Sequence, residues 1–472
     1  MRLRQMNERK TPSANTDKRR SAREEMLLRG PIPKVTLKMA IPTIVAFLIT
    51  SIYNLADTYF VSSLGTNATA AVSVNQSLDH IIMMAGSLLA IGANSYISRL
   101  LGAKRKEHAS HVLSTAWFMA AAFGALVLTL GTLFLHPMVR LLGATPTCEE
   151  YAIQYATYVL LVAPFMATSF VMNQCLRAEG SAMLSMVGMG FGGILNCYLD
   201  PLFIFKFGLG VTGASMATAI SKLVSFGILI YPYLSHHSLL RIKAGLIRFE
   251  KDIFVQIFSV GSSSLLRNAL SVLAAITLNQ AAGSISDSVL AGIGVSNRIM
   301  MFPFGIILGF GAGYQPVAGF NWGARRFDRV RGSYSFAWKF SVFGSILMGA
   351  LLWIFAVPLI HLFSAVDPEM QRIGALCIRL QCLALPAHAW VAMVNMLCAS
   401  LGFAGWAAIL ATARQGYCLL PFILPAAFFF GGKGLCSVQA LADLLSLIPA
   451  AIILRRAFRR IRQEEEKHLA MP

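Results

Sequence analysis

About twelve apolar runs, each near the roughly 20 residues that a helix needs to cross a bilayer, limit what this chain can fold into. Inside hydrocarbon, backbone N–H and C=O groups find no water, so only helices and closed barrels cross it. Barrel strands would read as segments of about ten residues with alternating polarity. The runs here are longer and continuously apolar, near 36–61, 77–100, 109–135, 151–175, 182–206, 210–233, 252–280, 290–317, 333–360, 371–397, 403–430 and 434–456. Charged residues make up 13% of the chain, about half the roughly 25% of a soluble protein. The expected fold class is an all-α membrane protein of twelve transmembrane helices in two pseudo-symmetric six-helix lobes.

A net charge of +19 raises nucleic acid as a partner. Its placement argues against one. With the N-terminus inside, the inner segments carry 29 Lys and Arg and the outer loops carry four, Arg140, Lys206, Arg372 and Lys433. That asymmetry is the positive-inside pattern of a multi-pass protein of the cell membrane with both termini cytoplasmic. The lipid bilayer is the partner this charge implies. Residues 1–34 read as a disordered basic cytoplasmic tail, too polar and too long for a signal peptide. The eight cysteines are scattered without a C-x-x-C pair, so a zinc cluster or disulfide framework is not expected. No P-loop is present and no cofactor is expected.

The two halves repeat. Leu101-Gly102-Ala103-Lys104-Arg105 aligns with Trp322-Gly323-Ala324-Arg325-Arg326 at a shift of 221. Val74 and Val295, Gly92 and Gly313, and Gly213 and Gly434 fall at the same shift, while Asn173 and Asn395, and Gly180 and Gly402, fall at 222. Six spans return the chain to its starting side, so the repeats are parallel, an architecture of transporters. The expected organisation is an N-lobe at 35–233, a basic cytoplasmic linker at 234–251 containing His236 and His237, a C-lobe at 252–460 and a cytoplasmic tail at 461–472.

Intramembrane acids are costly and point to function. Asp57 lies deep in the first span, with Asn54 three residues before it on the same face. Asp200 lies in the fifth, four residues after Asn196 and also on one face with it. Oxygen ligands suit a proton or a hard cation such as Na+. Asp79 and His80 read as interfacial and solvated. Lys222 reads as a partner for an N-lobe acid, and Asp443 as the ion-pair partner of Arg414. Pro42 reads as a static kink, and Gln315-Pro316 as an interruption of the eighth span.

Four stretches resemble the multidrug and toxic compound extrusion (MATE) family of cation-coupled exporters. They are Ser51 to Thr58, Leu176-Arg177-Ala178-Glu179-Gly180, Asn196 to Pro201 and Gly311 to Ala324, and the resemblance spans roughly 35–460. It is closest to bacterial and archaeal members with coupling acids in the N-lobe. It implies a cation-coupling set of Asp57, Asn196, Asp200 and Thr218, which would also be the Na+ ligands of a sodium-coupled member. It implies substrate-cavity positions at Asn54, Met172, Asn173 and Met189. A second branch of the family uses acids in spans seven and ten. Here span seven carries Arg267 and no acid, so a C-lobe cation site is not expected. Arg177 and Glu179, though marked by the resemblance, read as an ion pair at a solvated turn.

The expected function is secondary-active export of amphipathic and cationic drugs against Na+ or H+ by alternating access, by a monomer that is not an enzyme. A lipid-linked sugar flippase of the same superfamily would call for a cation-lined cavity and extra spans. A membrane-embedded transferase would call for paired acids or histidines in a loop at one membrane face.

Overall fold

The structure, a computed structural model, describes residues 14–235, 237–361 and 367–470. His236, half of the histidine pair in the linker, lies outside the described residues, as do residues 1–13 of the basic tail. Among the described residues every regular element is helical: α1 (Ala14–Arg29), α2 (Ile32–Ser62), α3 (Thr66–Gly102), α4 (Lys106–Leu133), the short α5 (Leu135–Leu141), α6 (Glu149–Ala178), α7 (Ala182–Pro201) and α8 (Gly210–Leu234), then α9 (Lys251–Gly283), α10 (Asp287–Gly323), α11 (Phe327–His361), α12 (Pro368–Leu401), α13 (Ala404–Thr412), α14 (Leu420–Leu445) and α15 (Leu447–Leu469).

Ten of the spans are single apolar helical runs, and the run Ala404–Leu469 holds the last two. The chain turns at Gly431, whose φ of 57° and ψ of −142° break α14. Phe428, Phe429 and Phe430 are exposed beside that turn, where aromatic rings suit the headgroup level. Twelve crossings result.

Helix packing repeats between the halves. In the first, α3 and α4 both pack on α6, α2 packs on α7, and α6 packs on α8. In the second, α10 and α11 both pack on α12, α9 packs on α13, and α12 packs on α14. Each lobe has its own apolar core, one around Leu113, Leu160 and Leu176, the other around Tyr314, Ile378 and Leu397. The lobes meet through α2 against α10 and α3 against α9, which are equivalent contacts in the repeat. The approach is closest where the repeated motif ends α3 and α10. A Cβ on Gly102 would run into the Phe320 carbonyl, and one on Gly323 into the Arg99 carbonyl. Farther along α10, at Gly294 and Gly305, a Cβ would meet nothing.

Several expectations change. The tail before the first span is not wholly irregular, since Ala14–Arg29 is helical. Glu25 and Arg29 pair at 3.8 Å one turn apart, and Leu27 is buried. Glu24 pairs with Lys106 of the N-lobe. The Leu27 carbonyl accepts from Asn321 at 3.3 Å and the Gly30 carbonyl from Arg329 at 2.7 Å, both in the C-lobe. The helix thus lies across both lobes. At the other end, residues 461–469 continue α15.

The turn after α6 is not solvated, because the linker folds back over it. Arg177 and Glu179 are both buried. Arg177 donates to Ser185 Oγ at 3.2 Å. Glu179 accepts from Ser238 Oγ at 2.6 Å and from the Leu239 N–H at 2.7 Å. The linker then runs along α4, with Ser114 Oγ donating to the Arg241 carbonyl and the Arg248 N–H donating to Thr115 Oγ1. Its Arg241, Lys243 and Arg248 side chains stay exposed. Gln315-Pro316 does not interrupt its span, as α10 is continuous through Pro303 and Pro316. A long packed helix tolerates the missing N–H of proline because its neighbours hold the backbone in place.

Candidate functional site

The polar centre of the N-lobe is assembled from five helices. Asn196 and Asp200 stand one turn apart on α7. Asn196 Nδ2 donates to Asp200 Oδ1 at 3.1 Å and to Thr218 Oγ1 of α8 at 3.3 Å. Both are buried, as is Asp57 of α2. Asp57 acts electrostatically on Asp200 and, with Asp79 of α3 and Lys222 of α8, forms one charged cluster. Tyr155 of α6 is buried among Asp57, Asp79, Asp200 and Thr218. After Pro201 the chain widens into a π-helical turn, Leu202–Lys206, a distortion often found beside functional sites.

Charge and hydrogen bonding are unbalanced here. Three carboxylates share the cluster with one ammonium group. Lys222 sits with Asp57 and Asp79, and its Nζ donates to the Tyr53 hydroxyl at 2.9 Å and lies 5.1 Å from the centre of that ring. Asp57 Oδ1, Asp79 Oδ1, Asn196 Oδ1 and Asp200 Oδ2 are buried without a hydrogen-bond partner among the described residues. Each such oxygen costs roughly 1–3 kcal/mol, more when charged. A cation entering this cluster would find acceptors already desolvated and unused. No three acid, His or Cys side chains among the described residues converge as a metal site. Any ion here would therefore share carboxylate and neutral oxygens.

Beside the cluster, α2, α6, α7 and α8 line a cavity. Tyr53, Phe170 and Met189 give it apolar walls, and Asn196, Thr218 and Lys222 give it a polar end. Of the residues expected there, Met189 lines the cavity. Met172 and Asn173 do not: Met172 is fully buried, and Asn173 Nδ2 donates to the Ser185 carbonyl at 3.1 Å and hydroxyl at 2.8 Å. They fasten α6 to α7. Asn54 is exposed, whereas Asp57, one turn on, is buried. The two share a face only loosely, since three residues advance a helix by about 300° rather than a full turn.

Asp79 and Tyr155 escaped the sequence reading. Asp79 sits near a span end, where a solvated acid is the ordinary reading. Its partners lie on α2 and α8, far away in sequence. Tyr155 carries no sequence signal at all, being one of 12 tyrosines.

The C-lobe holds a different arrangement. Asp443 accepts from Arg414 Nε at 2.5 Å and lies 3.7 Å from His388 Nδ1. The Arg414 guanidinium stacks 4.3 Å from the Phe304 ring centre. Here the acid is already neutralised by protein. Asp443→Asn is expected to strand the Arg414 charge. Because Arg414 keeps 17% exposure, the cost should fall below the roughly 3–5 kcal/mol of a fully buried pair, on the order of 2–3 kcal/mol. Thermal unfolding of the purified protein measures it, and a midpoint equal to that of the parent would show the pair to be dispensable.

The MatE family model matches the chain twice, at residues 42–202 and 264–425. The chain belongs to the MATE family. Each matched block falls within one lobe. The multidrug export protein MepA of Staphylococcus aureus strain MSSA476 is 26% identical over 439 residues, covering 90% of this chain and 94% of MepA. That of Staphylococcus saprophyticus is 27% identical over 438 residues, with the same coverage. A MATE crystal structure in complex with MaL6 superposes with a TM-score of 0.88 at 25% identity, covering 93% of this chain and 99% of that one. An outward-facing multidrug resistance MATE transporter of the MOP superfamily gives 0.86 at 25% identity, covering 93% and 98%. This chain is thus a multi-pass membrane transporter and not an enzyme.

Proposed function

We propose that this MATE protein exports amphipathic organic cations in exchange for H+ or Na+, using the N-lobe cluster to couple the two movements. The observation that carries this reading is the set of four buried oxygens on Asp57, Asp79, Asn196 and Asp200 that have no partner among the described residues. A proton or Na+ would add positive charge where Lys222 alone stands with three acids. The adjacent cavity, apolar along its walls and polar at one end, fits an amphipathic guest. Multidrug export is what the staphylococcal relatives are named for. A flippase for lipid-linked sugars would favour a cavity dominated by cations, and this one carries a single cation, Lys222, among mostly apolar and uncharged polar walls.

The charge asymmetry supports a cell-membrane protein whose termini and linker face the cytoplasm, and it transports as a monomer. On that topology the end sealed around Gly102 and Gly323 is cytoplasmic, and the structure is the outward-facing arm of an alternating-access cycle. The test is ethidium efflux from proteoliposomes with H+ and Na+ gradients imposed separately. Efflux driven by at least one gradient is expected. Efflux indifferent to both overturns the coupling.

A further inference from the structure

The two turns that seal the lobes are built alike and carry charge where the backbone least favours a side chain. Four helices, α3, α6, α10 and α12, end at this face in the same hydrogen-bonded cap. The Arg105 N–H reaches the Leu100 carbonyl, Ser181 reaches Leu176, Arg326 reaches Asn321 and Phe403 reaches Cys398. The left-handed position of this cap is normally glycine. On α6 and α12 it is Gly180 and Gly402, with φ of 80° and 78°. On α3 and α10 it is Lys104 and Arg325, with φ of 62° and 57°. Among the described residues these are the two non-glycine positions with positive φ. They are related by the internal repeat. Strained non-glycine residues of this kind cluster at ligand clamps.

Both cations line one pocket between the lobes, together with Arg105, Arg326 and Lys467. Its acid, Glu464, is 3.3 Å from Lys467 and so already engaged. Arg325 Nη1 lies 3.1 Å from His468 Nδ1, a nitrogen rather than a carboxylate. Arg326 reaches Asp328 only at 3.9 Å. The pocket therefore concentrates donors from both lobes and from α15, and among the described residues holds too few acceptors for them.

We propose that this pocket binds a phosphate-bearing anion that bridges the lobes and holds this end of the transporter closed. Phosphate oxygens take several charge-assisted hydrogen bonds at once. Basic pockets between spanning helices at the cytoplasmic side also accept lipid headgroups. A ligand touching Lys104 and Arg325 together binds only when the lobes are joined. It shifts the population toward the closed arrangement by its differential affinity.

The test uses the full-length protein in nanodiscs of phosphatidylcholine, titrated with pyrophosphate, and separately in nanodiscs containing phosphatidylglycerol. Cysteines introduced as Glu107→Cys and Asp328→Cys carry spin labels that report the distance between the lobes. The comparison variant is Lys104→Gly with Arg325→Gly, which removes both charges and suits the cap geometry. A purely structural role for these residues predicts that this variant folds at least as well and responds to anions as the parent does. The site predicts shortened label distances with pyrophosphate, or with phosphatidylglycerol if a lipid headgroup is the source. It also predicts a loss of roughly tenfold or more in anion affinity in the variant at an unchanged melting temperature. No response of the parent to either anion, or an equal response in the variant, overturns the proposal.

Discussion

Asp57→Asn is expected to reduce gradient-driven efflux to the passive leak, and Asp200→Asn to do the same, with both proteins still folded and inserted. The amide matches the carboxylate in size, so the packing of α2 against α7 survives. What it removes is a negative charge, and with it the site proposed for the coupling ion. Intramembrane acids cost several kcal/mol to keep, and here the protein compensates for them only in part: one cation, Lys222, sits with Asp57 and Asp79, and four oxygens in the cluster lack partners among the described residues. Substrate binding in the cavity should persist, since its walls come from Tyr53, Phe170 and Met189. Asp443→Asn is the control, because that acid already holds Arg414. It should lower stability while leaving the ion dependence of efflux intact. Efflux that follows imposed gradients in both N-lobe variants, and loses its ion dependence in Asp443→Asn, would show that the coupling site lies in the other lobe.

The second large effect belongs to the pair Gly102→Ala and Gly323→Ala. Helix propensity alone favours alanine by about 1 kcal/mol at each position. Sterics oppose it, because the new methyl groups would meet the carbonyls of Phe320 and Arg99 on the opposite lobe. Those atoms are backbone and cannot swing aside, so the lobes must separate. Overpacking of this kind costs about 1–3 kcal/mol per site, and the steric term wins. The joint variant should melt earlier, populate a form open at this end and export poorly. Gly294→Ala and Gly305→Ala lie on the same α10 where nothing is within reach. They should be neutral or slightly stabilising. Equal melting temperatures for the two pairs would show that this end does not close as tightly as the structure indicates.

The spans and the repeat were legible because each rests on a local rule: the length of an apolar run, identity at a fixed shift. Asp57, Asn196 and Asp200 were legible for the same reason, since a polar residue deep in an apolar run is conspicuous without any knowledge of its neighbours. Met172 and Asn173 were misplaced because polarity and motif position do not say which way a helix face turns. Asn173 spends its amide on Ser185 rather than on the cavity. Arg177 and Glu179 look like a surface ion pair in sequence, and become buried only because Ser238 and Leu239 return to cover Glu179.

The sequence by itself determined an all-α membrane protein of two repeated lobes with acids in the first, because hydrocarbon imposes helices and penalises charge wherever the chain crosses it. Tertiary structure alone decided that Asp79, Tyr155 and Lys222 join those acids, and that Lys104 and Arg325 line one pocket at the sealed end. These depend on which helix faces meet. That is fixed by packing between residues far apart in the chain, which no local pattern records.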